Sequence, residues 1–308
     1  MKMRLLLLTG LLALGCGANS PTHGGGGSGG SGGGGAGGSG GGGGSGGAGG
    51  SGGGGGAQSG CAGQSAGCYT VYAHSDHTLY SIDLMAKMLV TVGPFKAPKG
   101  PSGNEDSITD LAVAPDNTIY VISKTQLYTA SPTDGHVTVV GPVTVCGQDN
   151  VALTTTPDAK LFVGDFKGAF CEIDITVKPP MVRQIGMLGN NLALSGDLVG
   201  VADGTVYGSA YNLTDATTAN NNILVKLDTT TGQVKSVVGA TGFPKLFGIS
   251  YALGQVFGFT HDGSGDVVTI DPKTGKGTPY NSFMDPSTGK GISFAGAGVN
   301  SMVPAVIM

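Results

Sequence analysis

The chain contains no tryptophan, only five cysteines, and a low density of charge, with 12% of its residues Asp, Glu, Lys or Arg. Without indole rings, any stacking platform for a sugar has to come from Tyr or Phe, and Tyr207, Tyr211 and Tyr251 are the candidates. The net charge of −4 leaves no basic stripe for nucleic acid. No apolar run reaches the roughly 20 residues that a helix needs to cross a bilayer. No Ser or Cys is marked by its neighbours as an activated nucleophile, and His136 merely follows the Asp134-Gly135 turn. These absences count against nucleic-acid binding, helical membrane spanning and nucleophilic catalysis.

What is present begins at the first residues. Lys2 and Arg4 precede an apolar stretch, Leu5 to Leu14, interrupted only by Thr9 and Gly10. That length suits the hydrophobic region of an export signal. It ends in Leu12-Ala13-Leu14-Gly15-Cys16, which resembles the lipobox of bacterial lipoproteins, with Leu14 standing where a small residue is usual. The resemblance implies cleavage before Cys16 and acylation of its thiol. Buried acyl chains, at about 0.8 kcal/mol per CH₂, would hold the protein to a lipid bilayer. Gly17, not Asp, follows the cysteine, which by the enteric sorting rule implies the outer membrane.

From Gly24 to Gly56 the chain has 33 residues, 26 of them Gly and the rest Ser or Ala. Such a tract has nothing to bury and maximal backbone entropy to lose, so it reads as a flexible tether. A coil of this length spans roughly 30 Å, root-mean-square. A phosphate-cradling role fails because no strand precedes the glycines and no helix follows. The organisation is therefore a signal over 1–15, a lipidated N-terminus and linker over 16–60, and a folded domain over 61–308.

Four cysteines follow Cys16: Cys61, Cys68, Cys146 and Cys171. Outside the cytoplasm an even set is expected to pair, and three pairings are possible. Cys61 with Cys68 and Cys146 with Cys171 is the most economical.

The folded part is built from repeats. Asp110-Leu111-Ala112-Val113-Ala114-Pro115-Asp116-Asn117-Thr118-Ile119-Tyr120 aligns without gaps to Asp197-Leu198-Val199-Gly200-Val201-Ala202-Asp203-Gly204-Thr205-Val206-Tyr207, with Asp116-Asn117 and Asp203-Gly204 as tight hairpin turns. A second hairpin follows each copy, as in Leu79-Tyr80-Ser81-Ile82-Asp83 running on to Val90-Thr91-Val92-Gly93. These units recur about every 47 residues, each with four short strands alternating at period two, which predicts a β-propeller. Five blades fit best, six if 190–196 forms its own blade. The first blade lacks an innermost strand ahead of Tyr69, and Ile292 to Val299 supplies one, closing the ring and removing a free edge. The repeats are similar to the exported bacterial propellers of the NHL, YVTN and TolB-like groups, whose motifs are structural and carry no activity.

Metal-site candidates are few. His74, Asp76 and His77 form a short cluster in a turn. Asp262-Gly263-Ser264-Gly265-Asp266 alternates oxygens as a calcium loop does, but Lys273 stands where such a loop needs Glu. Asp110 and Asp197 share a repeat position on innermost strands and could ring a central channel, as carboxylates do in lactonase-like propellers. Ala152 and Phe247 read as the equivalents on two other blades, leaving that ring short of ligands, so local capping of backbone N–H groups is the simpler role. No cofactor is expected. The sequence thus describes a monomeric, lipid-anchored binding or scaffold module for an unidentified protein, peptide or envelope partner. The alternative is a metal-dependent hydrolase or lyase using the channel.

Overall fold

A computed structural model describes residues 70–99, 103–144, 146, 149–214 and 221–305. Cys16, the glycine tract, Cys61 and Cys68 lie outside them. The described residues form five four-stranded antiparallel sheets arranged as blades around an axis. Blade 1 comprises β1 (Val71–His74), β2 (Thr78–Asp83) and β3 (Met88–Pro94); blade 2, β4 (Ile108–Val113), β5 (Ile119–Ser123), β6 (Gln126–Ala130) and β7 (Val137–Pro142). Blade 3 comprises β8 (Asn150–Thr155), β9 (Leu161–Asp165), β10 (Ala169–Asp174) and β11 (Met181–Met187). Blade 4 has β12 (Leu192–Gly200), β13 (Val206–Asn212), β14 (Ile223–Leu227) and β15 (Val234–Ala240). Blade 5 has β16 (Leu246–Ala252), β17 (Gln255–Thr260), β18 (Asp266–Ile270) and β19 (Gly277–Ser282).

The last strand, β20 (Gly296–Gly298), pairs antiparallel with β1, Ala73 opposite Ala297, and completes the first blade. The pairing is shorter than the Ile292–Val299 stretch suggests. Residues 190–196 belong to β12, a single nine-residue strand with one bulge, and so form no sixth blade.

Burial falls from axis to rim. Every residue of β8 and β12 is buried, whereas β11 and β15 are largely exposed along the outer edge. The core lies between blades: Leu79, Leu111 and Tyr128 pack at one seam, and Leu153, Leu161 and Cys171 at the next. The Cys146–Cys171 disulfide, with a Cα–Cα distance of 5.7 Å, ties the loop before blade 3 to β10.

Neighbouring blades also meet backbone to backbone. A Cβ on Gly186 would lie 2.1 Å from the Thr231 carbonyl oxygen, and one on Gly239 would lie 2.1 Å from that of Thr274. Glycine at the end of the outer strand is therefore what lets the next blade's turn seat against it. The seam between blades 5 and 1 is built differently. There the Tyr280 hydroxyl donates to the Leu84 carbonyl, and the Lys87 ammonium sits 4.7 Å from the Tyr280 ring centre.

After β20 the chain crosses the lower end of the ring. Asn300 bridges to Val113, Asn300 Nδ2 donates to Asn117 Oδ1 at 2.8 Å, and Ala202 N–H donates to the Val303 carbonyl at 2.9 Å. The Tyr251 hydroxyl donates to the Ala305 carbonyl. Blades 2, 4 and 5 are thereby joined to one another through the tail.

Candidate functional site

An innermost strand has no strand partner on its axial side, so its inward N–H groups need other acceptors. Two carboxyl groups supply them for all five blades. Asp110 Oδ1 accepts from Leu111 N–H at 2.8 Å and Oδ2 from Leu153 N–H at 2.5 Å. Asp197 Oδ1 accepts from Leu198 N–H at 2.5 Å, and Oδ2 from Ile249 N–H at 2.5 Å and Ala297 N–H at 3.0 Å. Both side chains are fully buried.

The two carboxyls are hydrogen-bonded to each other. Burial raises both above the usual carboxylate range, and for Asp110 the adjacent Asp197 charge raises it further. Asp197 accepts three N–H groups and Asp110 two, so Asp197 is the member that ionises and Asp110 keeps the proton. The register places Ala152, Gly248 and Gly296 at the equivalent positions of the other blades. Gly248, and not Phe247, is thus the blade 5 equivalent, because a bulge between Leu246 and Gly248 shifts the count by one. Small residues are needed at these positions: a Cβ on Gly296 would lie 2.3 Å from Asp110 Oδ1 and 2.5 Å from His74 Nε2.

His74 itself is not a turn residue. It ends β1 fully buried, its Nδ1–H donating to the Ser75 carbonyl at 2.9 Å and its ring set edge-on to Phe95. Its Nε2 has no hydrogen-bond partner. Desolvation lowers its pKa to about 4, so the imidazole is neutral.

One residue above the carboxyl layer stand Thr109, Val151, Gly196, Phe247 and Ala295, which form the floor and lower wall of a cavity of about 160 Å³ at the upper mouth. Ile108, Phe166 and His261 add further walls, and Asp76, Ser107 and Lys124 complete the lining. The Phe247 and His261 rings stack with centres 4.6 Å apart. Carbonyl oxygens only accept, so the 2.9 Å contact of His261 Nδ1 with the Phe294 carbonyl puts the proton on Nδ1 and leaves Nε2 an acceptor. Thr109 Oγ1 is within donating distance of the Ile122 and Asn150 carbonyls, at 3.1 and 2.9 Å. Lys124 pairs with Asp149 at 3.1 Å.

Other sequence candidates are placed elsewhere. Asp262 Oδ1 accepts from Ser264 N–H at 3.0 Å and from the Ser264 hydroxyl, and Asp266 Oδ1 from the Ser282 hydroxyl; both serve the local hairpin. Among the described residues no three of His, Cys, Asp and Glu are grouped to hold a metal ion. Tyr207 and Tyr251 stack on one another near the tail, and Tyr211 donates to the Phe166 carbonyl at 3.0 Å, so none of the three lines the mouth. Phe166, Phe247 and His261 were not legible as a set, since Phe166 follows β9 in blade 3 while Phe247 lies in β16 and His261 just after β17 in blade 5, with no shared spacing.

No family model matches the chain, and no curated protein matches it either. Among solved structures, a chain of a nidogen/laminin complex is similar with a TM-score of 0.48 at 11% identity, covering 78% of this chain and 100% of its own length. The Dos1 propeller is similar with a TM-score of 0.40 at 12% identity, covering 70% of this chain and 61% of that one. The hydrazine synthase of Kuenenia stuttgartiensis is similar with a TM-score of 0.39 at 15% identity, covering 71% and 68%. The class that the fold defines is a five-bladed β-propeller closed by its C-terminal strand.

Proposed function

We propose that this protein is a binding module held to the cell envelope by an acylated Cys16, with its propeller offering the upper mouth to a protein or peptide partner. The observation that carries the reading is the mouth cavity: the axial carboxyls behind it are spent on backbone N–H groups, while half-exposed aromatic rings line its opening. Exposed rings around a concavity are the usual anchor points of recognition surfaces. Tethering by the glycine tract raises the effective concentration of such a binder at the membrane.

The buried Asp110–Asp197 pair is what would favour a metal-dependent hydrolase or lyase. Against that reading, every oxygen of the pair already accepts a backbone N–H, and a cation would have to displace those bonds.

Photo-crosslinking in the source cells tests the binding reading, with a reactive side chain placed at Ser107 or Lys124 on the mouth or at Asn117 below. One discrete adduct from the mouth positions and none from Asn117 supports it; equal labelling from both faces removes it. Anchoring is tested separately by metabolic labelling with an alkyne fatty acid, where Cys16→Ser must abolish incorporation.

A further inference from the structure

We infer that the mouth cavity is a well for an aromatic ring that carries an ammonium group, which rests on the binding reading above and names the chemistry recognised. Size comes first. A dry cavity of about 150 Å³ accepts one benzene ring, and this one, open on its outer side, measures about 160 Å³, which is room for one ring.

The lining selects an apolar body. Ile108, Val151, Gly196 and Ala295 are buried. The one hydroxyl at floor level, on Thr109, is already engaged with backbone carbonyls. A sugar would bring several hydroxyls to a floor with no free partner, and each unpaired one would count against it. A flat ring instead meets Phe166 and the stacked Phe247–His261 pair, in the offset or edge geometries that aromatic groups favour.

The rim selects charge. Of its two lining charges, the Lys124 ammonium is held by Asp149, whereas the Asp76 carboxylate has no ion pair or hydrogen-bond partner among the described residues. His261 Nε2 is a second acceptor without a donor. Two open acceptors beside aromatic faces favour a cationic donor, which also gains from the ring quadrupoles. The ring therefore enters first, and the ammonium stays at the rim against Asp76. Free aromatic amines and the N-terminal Phe or Tyr of a polypeptide share this chemistry.

The test uses the full-length chain and ligand-observed NMR with phenethylamine, 2-phenylethanol, phenylacetate and the tripeptide Phe-Gly-Gly with and without N-acetylation. Phenethylamine must bind, and phenylacetate must bind at least about tenfold more weakly. Asp76→Asn must weaken phenethylamine about tenfold while leaving 2-phenylethanol unchanged, and Phe247→Ala must weaken both. Asp76 is exposed, so its variant folds regardless of how Phe247→Ala behaves. Tighter binding of Phe-Gly-Gly than of phenethylamine, lost on acetylation, assigns the well to a chain end; the reverse order assigns it to a free amine. Equal binding of phenylacetate, or an Asp76→Asn variant that binds phenethylamine normally, overturns the inference. A mouth-specific crosslinked adduct would survive either result, so the two readings fail separately.

Discussion

The Asp110 carboxyl donates a hydrogen bond to the Asp197 carboxylate at the centre of the ring, and the pair together accepts an inward N–H from each of the five innermost strands. All five sheets are therefore joined at the axis through two side chains. The arrangement stabilises only as a unit, because each carboxyl is buried against the other's charge.

Asp110→Ala removes the acceptor for Leu111 and Leu153 N–H and leaves the Asp197 charge without its donor. The expected loss is about 3–5 kcal/mol in urea denaturation at constant m. Asp197→Ala, which strands three N–H groups, is expected to lose more. Asp110→Asn keeps a donor toward Asp197 but offers a single acceptor, for a loss of about 1–2 kcal/mol.

The two buried titrations are expected to move stability in opposite directions as the pH changes. His74 titrates near 4 in the folded chain, below its ordinary value of about 6.5. The unfolded chain therefore binds the extra proton first, and up to about 3 kcal/mol is lost as the pH drops from 6.5 toward 4. The Asp110–Asp197 pair is raised, so the folded chain keeps a proton the unfolded chain releases. Its contribution is complete below about pH 3.9 and shrinks as the pH rises through the folded value. Denaturation curves across pH should show the acid limb flattened by His74→Phe and the opposing slope by Asp110→Asn.

Glycine substitutions separate close approach from backbone conformation. Gly239→Ala drives a Cβ to within 2.1 Å of the Thr274 carbonyl and must shift one blade against the next, for a loss of more than about 2 kcal/mol. Gly204→Ala meets nothing within 4 Å but sits at φ +81°, where the loss is about 1 kcal/mol. Thermal melts of the two variants check the order.

Removing Ile292 onward takes away β20 and exposes the inner edge of β1, and cooperative unfolding is expected to vanish. Removing only Met302 onward keeps the ring but deletes the Val303 and Ala305 carbonyls that hold Ala202 and Tyr251. That shorter chain should melt several degrees lower and be cut faster by protease at its lower face.

Reduction of the Cys146–Cys171 bridge opens a loop closed at a sequence separation of 25. A loss of about 3 kcal/mol is expected, read from denaturation with and without reductant or from Cys171→Ser.

Much of the ring was legible in the repeats. The turns at Asn117 and Gly204, both at positive φ, and the closing role of the last strand follow from period-two alternation and turn chemistry. The cause of the glycines near the ends of the outer strands, such as Gly186 and Gly239, was not legible: the next blade's turn sits against them, a contact between segments about 40 residues apart. The axial layer was half legible. Asp110 and Asp197 stand out by their matched repeat position, but a bulge hides which residue of blade 5 joins them. The mouth was barely legible: Phe247 and His261 meet through the β16–β17 hairpin of blade 5, but Phe166 of blade 3 shares their cavity only once the ring closes.

Because β20 follows every other strand of the ring, the ring cannot lock until all of those strands have been made. Blades 2 to 5 hold all four of their strands earlier, yet the first blade waits with an open edge for the final residues. Completion of the ring is thus deferred by the order of the strands alone.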